Sequence, residues 1–94
     1  MNKLVAEPLL QQELQLVLSL GYETLSKLVD SEPLTKELPG PDGQTYQTEI
    51  QVFWDSGKNG PIRVLGAIND CGRSAFRPLC LDDIIYPTIT GENS

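Results

Sequence analysis

The sequence predicts an α+β fold in which an N-terminal helix packs on an antiparallel meander of three or more strands. Three observations support this prediction. Apolar residues recur at helical spacing over residues 7–30, apolar and polar residues alternate over residues 44–80, and a Pro- and Gly-rich connection, residues 31–43, lies between them. One helical block followed by one β block is the order typical of α+β domains.

The helical prediction depends on a stripe of apolar side chains at three- and four-residue steps. The stripe consists of Leu10, Leu14, Val17, Leu18, Leu25, Leu28 and Val29. Pro8 suits the first turn of a helix, because proline has no N–H to donate. Gly21 falls on the stripe, so the helix either continues there or breaks into two. Leu9, Leu16 and Leu20 form a second stripe nearly opposite the first, which a helix with one solvated face does not need.

Turn residues and alternation predict the register of the sheet. Placing Trp54 opposite Ile62 leaves a seven-residue loop between the first two strands. Gly72 suits the left-handed position of a tight turn in the next hairpin, which places Gly66 opposite Phe76. In both hairpins the even-numbered residues then share one face, which we expect to be the core beneath the helix.

The remaining residues complete a single predicted domain, 1–94. The segment 81–86 is a short helix or strand that closes one end of the sheet, and residues 88–94 form a frayed tail. A chain of 94 residues is near the lower end of self-sufficient folding and has enough apolar residues for one core.

The odd-numbered sheet face is the main candidate for a binding surface. It carries apolar residues where a solvated sheet face would be mostly charged and threonine-like. The predicted partner-binding residues are Phe53, Arg63, Leu65, Ala75, Arg77 and Leu79. Arginine at the rim of an apolar patch is typical of protein interfaces. Alternatively, the two arginines form ion pairs with Glu49 and Asp55, or bind a small carboxylate or phosphate ligand.

The stretch CGRSAFR, from Cys71 to Arg77, resembles the Cys-x5-Arg signature of protein tyrosine phosphatases and thiol arsenate reductases. In those enzymes the loop lies between a strand and a long helix, the cysteine is a thiolate and the arginine clamps phosphate. Here Pro78 follows the arginine, and only nine residues remain before Pro87, whereas helices average about 11–12 residues. The sequence therefore favours a hairpin turn, with catalysis by Cys71 and Arg77 as the weaker alternative.

Composition disfavours several classes of function. The chain has no histidine, 13 acidic and 7 basic residues, and a net charge of −6. Without histidine it lacks the commonest general base and metal ligand, so we expect no metal, no cofactor and no enzymatic activity. Its negative charge disfavours nucleic acid, and no apolar run reaches the roughly 18 residues of a membrane span. Two cysteines and a non-secretory start predict a cytoplasmic location.

The run from Tyr46 to Ile85, with YQTEIQVFWDS, IRVLGAIND and PLCLDDII, resembles short uncharacterised bacterial proteins with a helical front and a small antiparallel sheet. The resemblance implies a fold and carries no activity and no functional residue with it.

The sequence thus predicts a non-enzymatic protein-interaction module that self-associates through the odd-numbered sheet face. A homodimer is expected first, because two-fold dimers are the commonest soluble assemblies. The alternative binding function is that of an acidic inhibitor or antitoxin-like protein. In that case Glu13, Glu23 and Asp30, on the outer side of the helix, would bind a basic partner.

Overall fold

A computed structural model describes residues 2–70 and 78–87 of the chain. Within these residues two helices precede four strands: α1 Lys3–Leu18, α2 Gly21–Leu28, β1 Leu34–Pro39, β2 Thr45–Trp54, β3 Ile62–Asn69 and β4 Leu79–Ile85. The strands form one antiparallel sheet of order β1-β2-β3-β4, in which each strand pairs with the next strand of the chain. The predicted α+β fold, with helical segments packed on an antiparallel meander, is confirmed.

Helix α1 begins four residues earlier than the sequence pattern indicates, at Lys3. Asn2 caps it, because its side-chain oxygen accepts a hydrogen bond from the backbone N–H of Leu4 at 3.0 Å. Pro8 therefore lies in the second turn, where it cannot donate to the carbonyl of Leu4. The helix continues through this missing bond because Ala6 and Leu10, on either side of Pro8, are fully buried.

Gly21 separates the two helices. Its φ of +89° lies in the left-handed region that other residues rarely adopt. The backbone N–H of Leu20 bonds the carbonyl of Val17 at 3.0 Å as α1 ends. After this break, α2 brings Leu25 into the core. Of the two possibilities that the sequence leaves open at Gly21, the structure has the broken helix.

Both helices cover the same face of the sheet, and the core lies between the two layers. The buried apolar residues form two clusters, one of Leu14, Leu25, Ile50, Val52, Ile62 and Val64 and the other of Ala6, Leu10, Tyr46 and Ile68. The even-numbered residues of β2 and β3 supply the sheet side of both clusters. Because side chains alternate between faces along a strand, these even-numbered residues lie on one face. Their burial confirms the predicted assignment of this face to the core for β2 and β3.

The register of the β2–β3 hairpin agrees with the sequence prediction. Trp54 pairs with Ile62, and the loop 55–61 joins the two strands. The backbone N–H of Asp55 donates to the carbonyl of Pro61 at 2.9 Å, which closes the base of the loop.

The register predicted for the next hairpin is wrong. Gly66 lies opposite Leu81 instead of Phe76, a displacement of five residues along the last strand. Because five is an odd number, the displacement exchanges the two faces of that strand. The predicted turn residue Gly72 lies outside the described residues.

Burial explains why β4 takes this register. It places Leu79, Leu81 and Ile85 on the helix-covered face, where they pack against the two core clusters. Leu79, predicted on the binding face, is therefore a core-side residue. The segment 81–86, left as a short helix or strand, is part of this fourth strand.

Half of the predicted Pro- and Gly-rich connection, residues 31–43, is strand β1. It pairs antiparallel with β2, from Leu34 opposite Ile50 to Pro39 opposite Thr45. A proline is tolerated here because β1 is an edge strand, where its missing N–H need not bond a neighbour. The prolines of this segment therefore lie at or near the ends of a strand, and they do not mark a linker.

The turn between β1 and β2 is held by Tyr46. Its ring is buried in the core, and its hydroxyl donates to Oδ2 of Asp42 at 2.7 Å. Gly40 lies against the ring, since a Cβ there would be 2.6 Å from it. The hydrogen bond to the carboxylate raises the pKa of Tyr46 to about 12 and lowers the pKa of Asp42 below its ordinary value.

Replacing Gly21 with alanine should destabilise the protein by about 1 kcal/mol, because the added Cβ strains a left-handed backbone. Gly57→Ala is the matched control, since a Cβ at Gly57 meets no atom within 4 Å and no left-handed φ is required. Urea unfolding of both variants measures the difference. Equal losses from the two substitutions would contradict a specific backbone requirement at Gly21.

Tyr46→Phe should remove the contribution of the Tyr46–Asp42 hydrogen bond to the free energy of unfolding. In wild type this contribution is lost at both low and high pH. The pKa of Asp42 is depressed, so this stabilisation is present above pH 3.8 and lost as the pH falls through the folded-state pKa. The pKa of Tyr46 is raised, so the stabilisation is present below pH 10.0 and lost as the pH rises to about 12.

Urea unfolding of wild type and Tyr46→Phe across this pH range checks the expectation. The difference between the two proteins should be largest in the middle of the range. A difference that stays constant up to pH 12 would mean that the Tyr46 hydroxyl does not bond to Asp42.

Candidate interaction surface

The sheet face that points away from both helices is called the open face here. Strand pairing and alternation place on it the residues Thr35, Glu37, Pro39, Thr45, Gln47, Glu49, Gln51, Phe53, Arg63, Leu65, Ala67, Asn69, Cys80, Asp82 and Ile84. The predicted binding face of β2 and β3 is thus the face opposite the helices.

An apolar patch, consisting of Phe53, Leu65, Ala67 and Ile84, lies on the open face and begins at the end of the sheet next to the loop 55–61. Phe53 and Ile84 lie on either side of Arg63 in one row across three strands. Leu65 and Ala67 follow Arg63 along β3. All four apolar side chains are partly exposed. Phe53, Ile84 and Leu65 therefore flank Arg63 on three sides, and Asp82 lies beside Leu65.

Arg63 is held between two carboxylates from different segments. Its Nε and Nη2 atoms each lie 2.9 Å from Oδ1 of Asp55, at the start of the loop after β2. Its Nη1 donates to Oδ2 of Asp82 on β4. Side-chain exposure is 33% for Arg63, 28% for Asp55 and 46% for Asp82, so these pairs are at the surface.

These bonds decide the chemistry of Arg63. The hydrogen bond that Arg63 donates to Asp55 comes first, and the charges of Asp55 and Asp82 follow; together they raise the pKa of the guanidinium above its ordinary value. The predicted ion pair with Asp55 is present. A small anion would have to displace a carboxylate to reach this guanidinium, which disfavours the predicted ligand at Arg63.

The open face and its rim carry more carboxylates than cations. Glu49 accepts a 3.4 Å hydrogen bond from the side-chain amide of Gln51 and contacts no cation within the described residues. Glu37 lies farther out, on the edge strand β1. Together with Asp55 and Asp82, the described part of this surface has four carboxylates and one guanidinium, and therefore a net charge of −3.

The structure brings together three of the six predicted partner-binding residues. Phe53, Arg63 and Leu65 are neighbours on the open face, whereas Leu79 lies on the opposite face. Ala75 and Arg77 lie outside the described residues, as does Cys71 of the Cys-x5-Arg motif. The thiol phosphatase alternative therefore stays a prediction.

Sequence reasoning missed two residues next to Arg63 on this surface, Ile84 and Asp82. Both follow from the register of β4, which the turn signal at Gly72 did not predict. The signal that could have found them is the apolar alternation of Leu79, Leu81 and Ile85, which marks the opposite face of the same strand.

The outer side of α1 is a second exposed surface with apolar residues. Leu16 and Leu20, from the predicted second stripe, are exposed, whereas Leu9 packs against the core. Nearer the start of α1, Leu4 is 88% exposed. It lines a shallow groove of about 580 Å³ whose other described walls are Lys3, Glu7, Pro8, Gln11, Gln12 and Gln15.

The prediction that Glu13 lies on the acidic outer face of the helix is wrong. Its carboxylate is buried between α1 and β1, where Oε1 lies 3.4 Å from Nζ of Lys36. Glu23 and Asp30 are exposed as predicted. The alternative of binding a basic partner through the helices therefore loses one of its three carboxylates.

Two further findings concern only residues 2–70 and 78–87. No three His, Cys, Asp or Glu side chains converge there in a way that could hold a metal ion. Neither α1 nor α2 has the length and apolar character needed to cross a membrane.

Comparison of the chain with protein-family models, curated proteins and solved structures finds no match. The resemblance to short bacterial α+β proteins therefore stays a prediction.

The double ion pair at Arg63 should stabilise the β3–β4 pairing in a salt-dependent way. A double-mutant cycle of Arg63→Met and Asp82→Asn should give a favourable coupling at low salt that shrinks as salt is added, because surface pairs are screened. Urea unfolding of the four proteins measures it. A coupling of zero at low salt would mean that Arg63 does not hold Asp82 in solution.

Proposed function

We propose that the protein is a non-enzymatic interaction module that forms a two-fold homodimer through the open face. The observation that carries the proposal is the apolar patch around Arg63, on the side of the sheet that both helices leave uncovered. Arg63 already has two carboxylate partners, Asp55 and Asp82, so covering it does not bury an unpaired cation.

The composition of the patch supports an interface. Phenylalanine and arginine are both enriched at the centres of protein interfaces. Burying ~300 Å² of apolar surface at ~25 cal/mol/Å² contributes several kcal/mol before the costs of association are subtracted. One of these costs is the loss of side-chain freedom on binding. It is reduced at Arg63, because two carboxylates already hold its side chain before binding.

The sheet edges favour association through the face over strand addition. Edge strand β4 carries Asp82 and Asp83, and edge strand β1 carries Lys36 and ends in Pro39. Charged residues and prolines on edge strands discourage edge-to-edge pairing. A second copy is therefore expected to stack its open face on this one.

The size of the face predicts a weak, reversible dimer. Four strands about 4.8 Å apart and roughly seven residues long at ~3.3 Å each present a face of about 450 Å². Two such faces bury on the order of 900 Å², near the lower limit for specific interfaces. Association is thus expected at high protein concentration.

Phe53→Asp and Leu65→Asp should each raise the dimer dissociation constant about tenfold or more, because a charge replaces an apolar side chain in the patch. Leu16→Asp is the matched control, since Leu16 is exposed on the outer side of α1. Light scattering on a size-exclusion column, over a range of concentrations, measures the mass of each protein.

Circular dichroism confirms that each variant is folded. Wild type should shift from monomer to dimer as its concentration rises. A wild type that stays monomeric at millimolar concentration, or a Leu16→Asp variant as monomeric as Phe53→Asp, would contradict dimerisation through the open face.

A second candidate function is binding of a basic protein. The observation that favours it is the net charge of −3 on the open face and its rim, which would steer a partner with lysine or arginine around an apolar centre. Under this alternative wild type remains a monomer at every salt concentration.

A further inference from the structure

Glu49 is an uncompensated carboxylate next to the apolar patch. It lies between Thr35 on β1 and Ala67 on β3, and it is exposed. Among the described residues its only polar side-chain contact is the neutral amide of Gln51. We propose that Glu49 sets the strength of self-association by opposing it electrostatically. This inference rests on the homodimer proposed above.

The physical reason is that a two-fold dimer stacks two copies of the same face, and the described residues give each copy a net charge of −3. Stacked sheets pack about 10 Å apart, and the Debye length is also about 10 Å at 0.1 M salt. Carboxylates from both copies then lie in one layer with little screening at low salt. Their repulsion weakens the dimer, and added salt relieves it.

Glu49 differs from the other carboxylates of this surface. Asp55 and Asp82 are tied to Arg63, so removing either one breaks an ion pair. Glu37 lies on the edge strand, opposite Gln47 and farther from the patch. Within the described residues, a negative charge beside the patch can be removed at Glu49 without breaking an ion pair.

A negative charge at this position affects which partner surfaces the open face accepts. A second copy presents a face of the same net negative charge, whereas a partner face rich in lysine or arginine would not. Glu49 thus keeps self-association reversible, and it lies beside the apolar patch instead of within it.

The test compares Glu49→Gln with Glu23→Gln by sedimentation equilibrium at about 20 mM and about 500 mM sodium chloride. Both substitutions remove one negative charge, but Glu23 is exposed on α2, across the sheet from the open face. Wild type and Glu23→Gln should dimerise about tenfold more tightly at high salt. Glu49→Gln should dimerise several-fold more tightly than wild type at low salt and depend less on salt.

Each outcome separates this inference from the proposed function. A dimer whose dissociation constant is the same for wild type and Glu49→Gln at both salt concentrations overturns the role of Glu49 and leaves the dimer standing. Equal tightening by Glu23→Gln overturns it as well, because net charge alone then explains the effect. Monomers in all three proteins at both salt concentrations overturn the homodimer itself.

Discussion

The packing of α1 and α2 on one face of the sheet is the constraint on which the rest of this structure depends. Leu10, Leu14 and Leu25 are buried against the even-numbered residues of β2 and β3. Because side chains alternate along a strand, burying the even-numbered residues directs the odd-numbered ones to the opposite face. The apolar patch and its carboxylates therefore lie together as a consequence of core formation.

Arg63 organises the face that remains. It joins Asp55, in the loop after β2, to Asp82, on β4, so one guanidinium connects three segments of the chain. The bond to Asp82 lies across the β3–β4 pair at the surface, where apolar burial is incomplete. Together the two ion pairs match the one described cation of the open face with carboxylates, which leaves this face acidic around the apolar patch. A small anion would therefore have to displace a carboxylate to reach this guanidinium.

The sequence alone determined much of the fold and part of the candidate site. Local signals were sufficient where they agreed with burial: helical periodicity predicted the helices, and alternation predicted the β2–β3 register through Trp54 and Ile62. The same alternation placed Phe53, Arg63 and Leu65 on one face. These are properties of neighbouring residues, because the twofold period of a strand needs no information from distant parts of the chain.

Only the tertiary structure decided the position of β4, the strand character of β1 and the partner of Glu13. Each depends on contacts between residues far apart in the chain. Burial of Leu79, Leu81 and Ile85 under the helices fixes a register that turn chemistry near Gly72 did not predict. That non-local burial brings Ile84 and Asp82 to the open face, since a register displaced by an odd number of residues reverses every side chain of a strand.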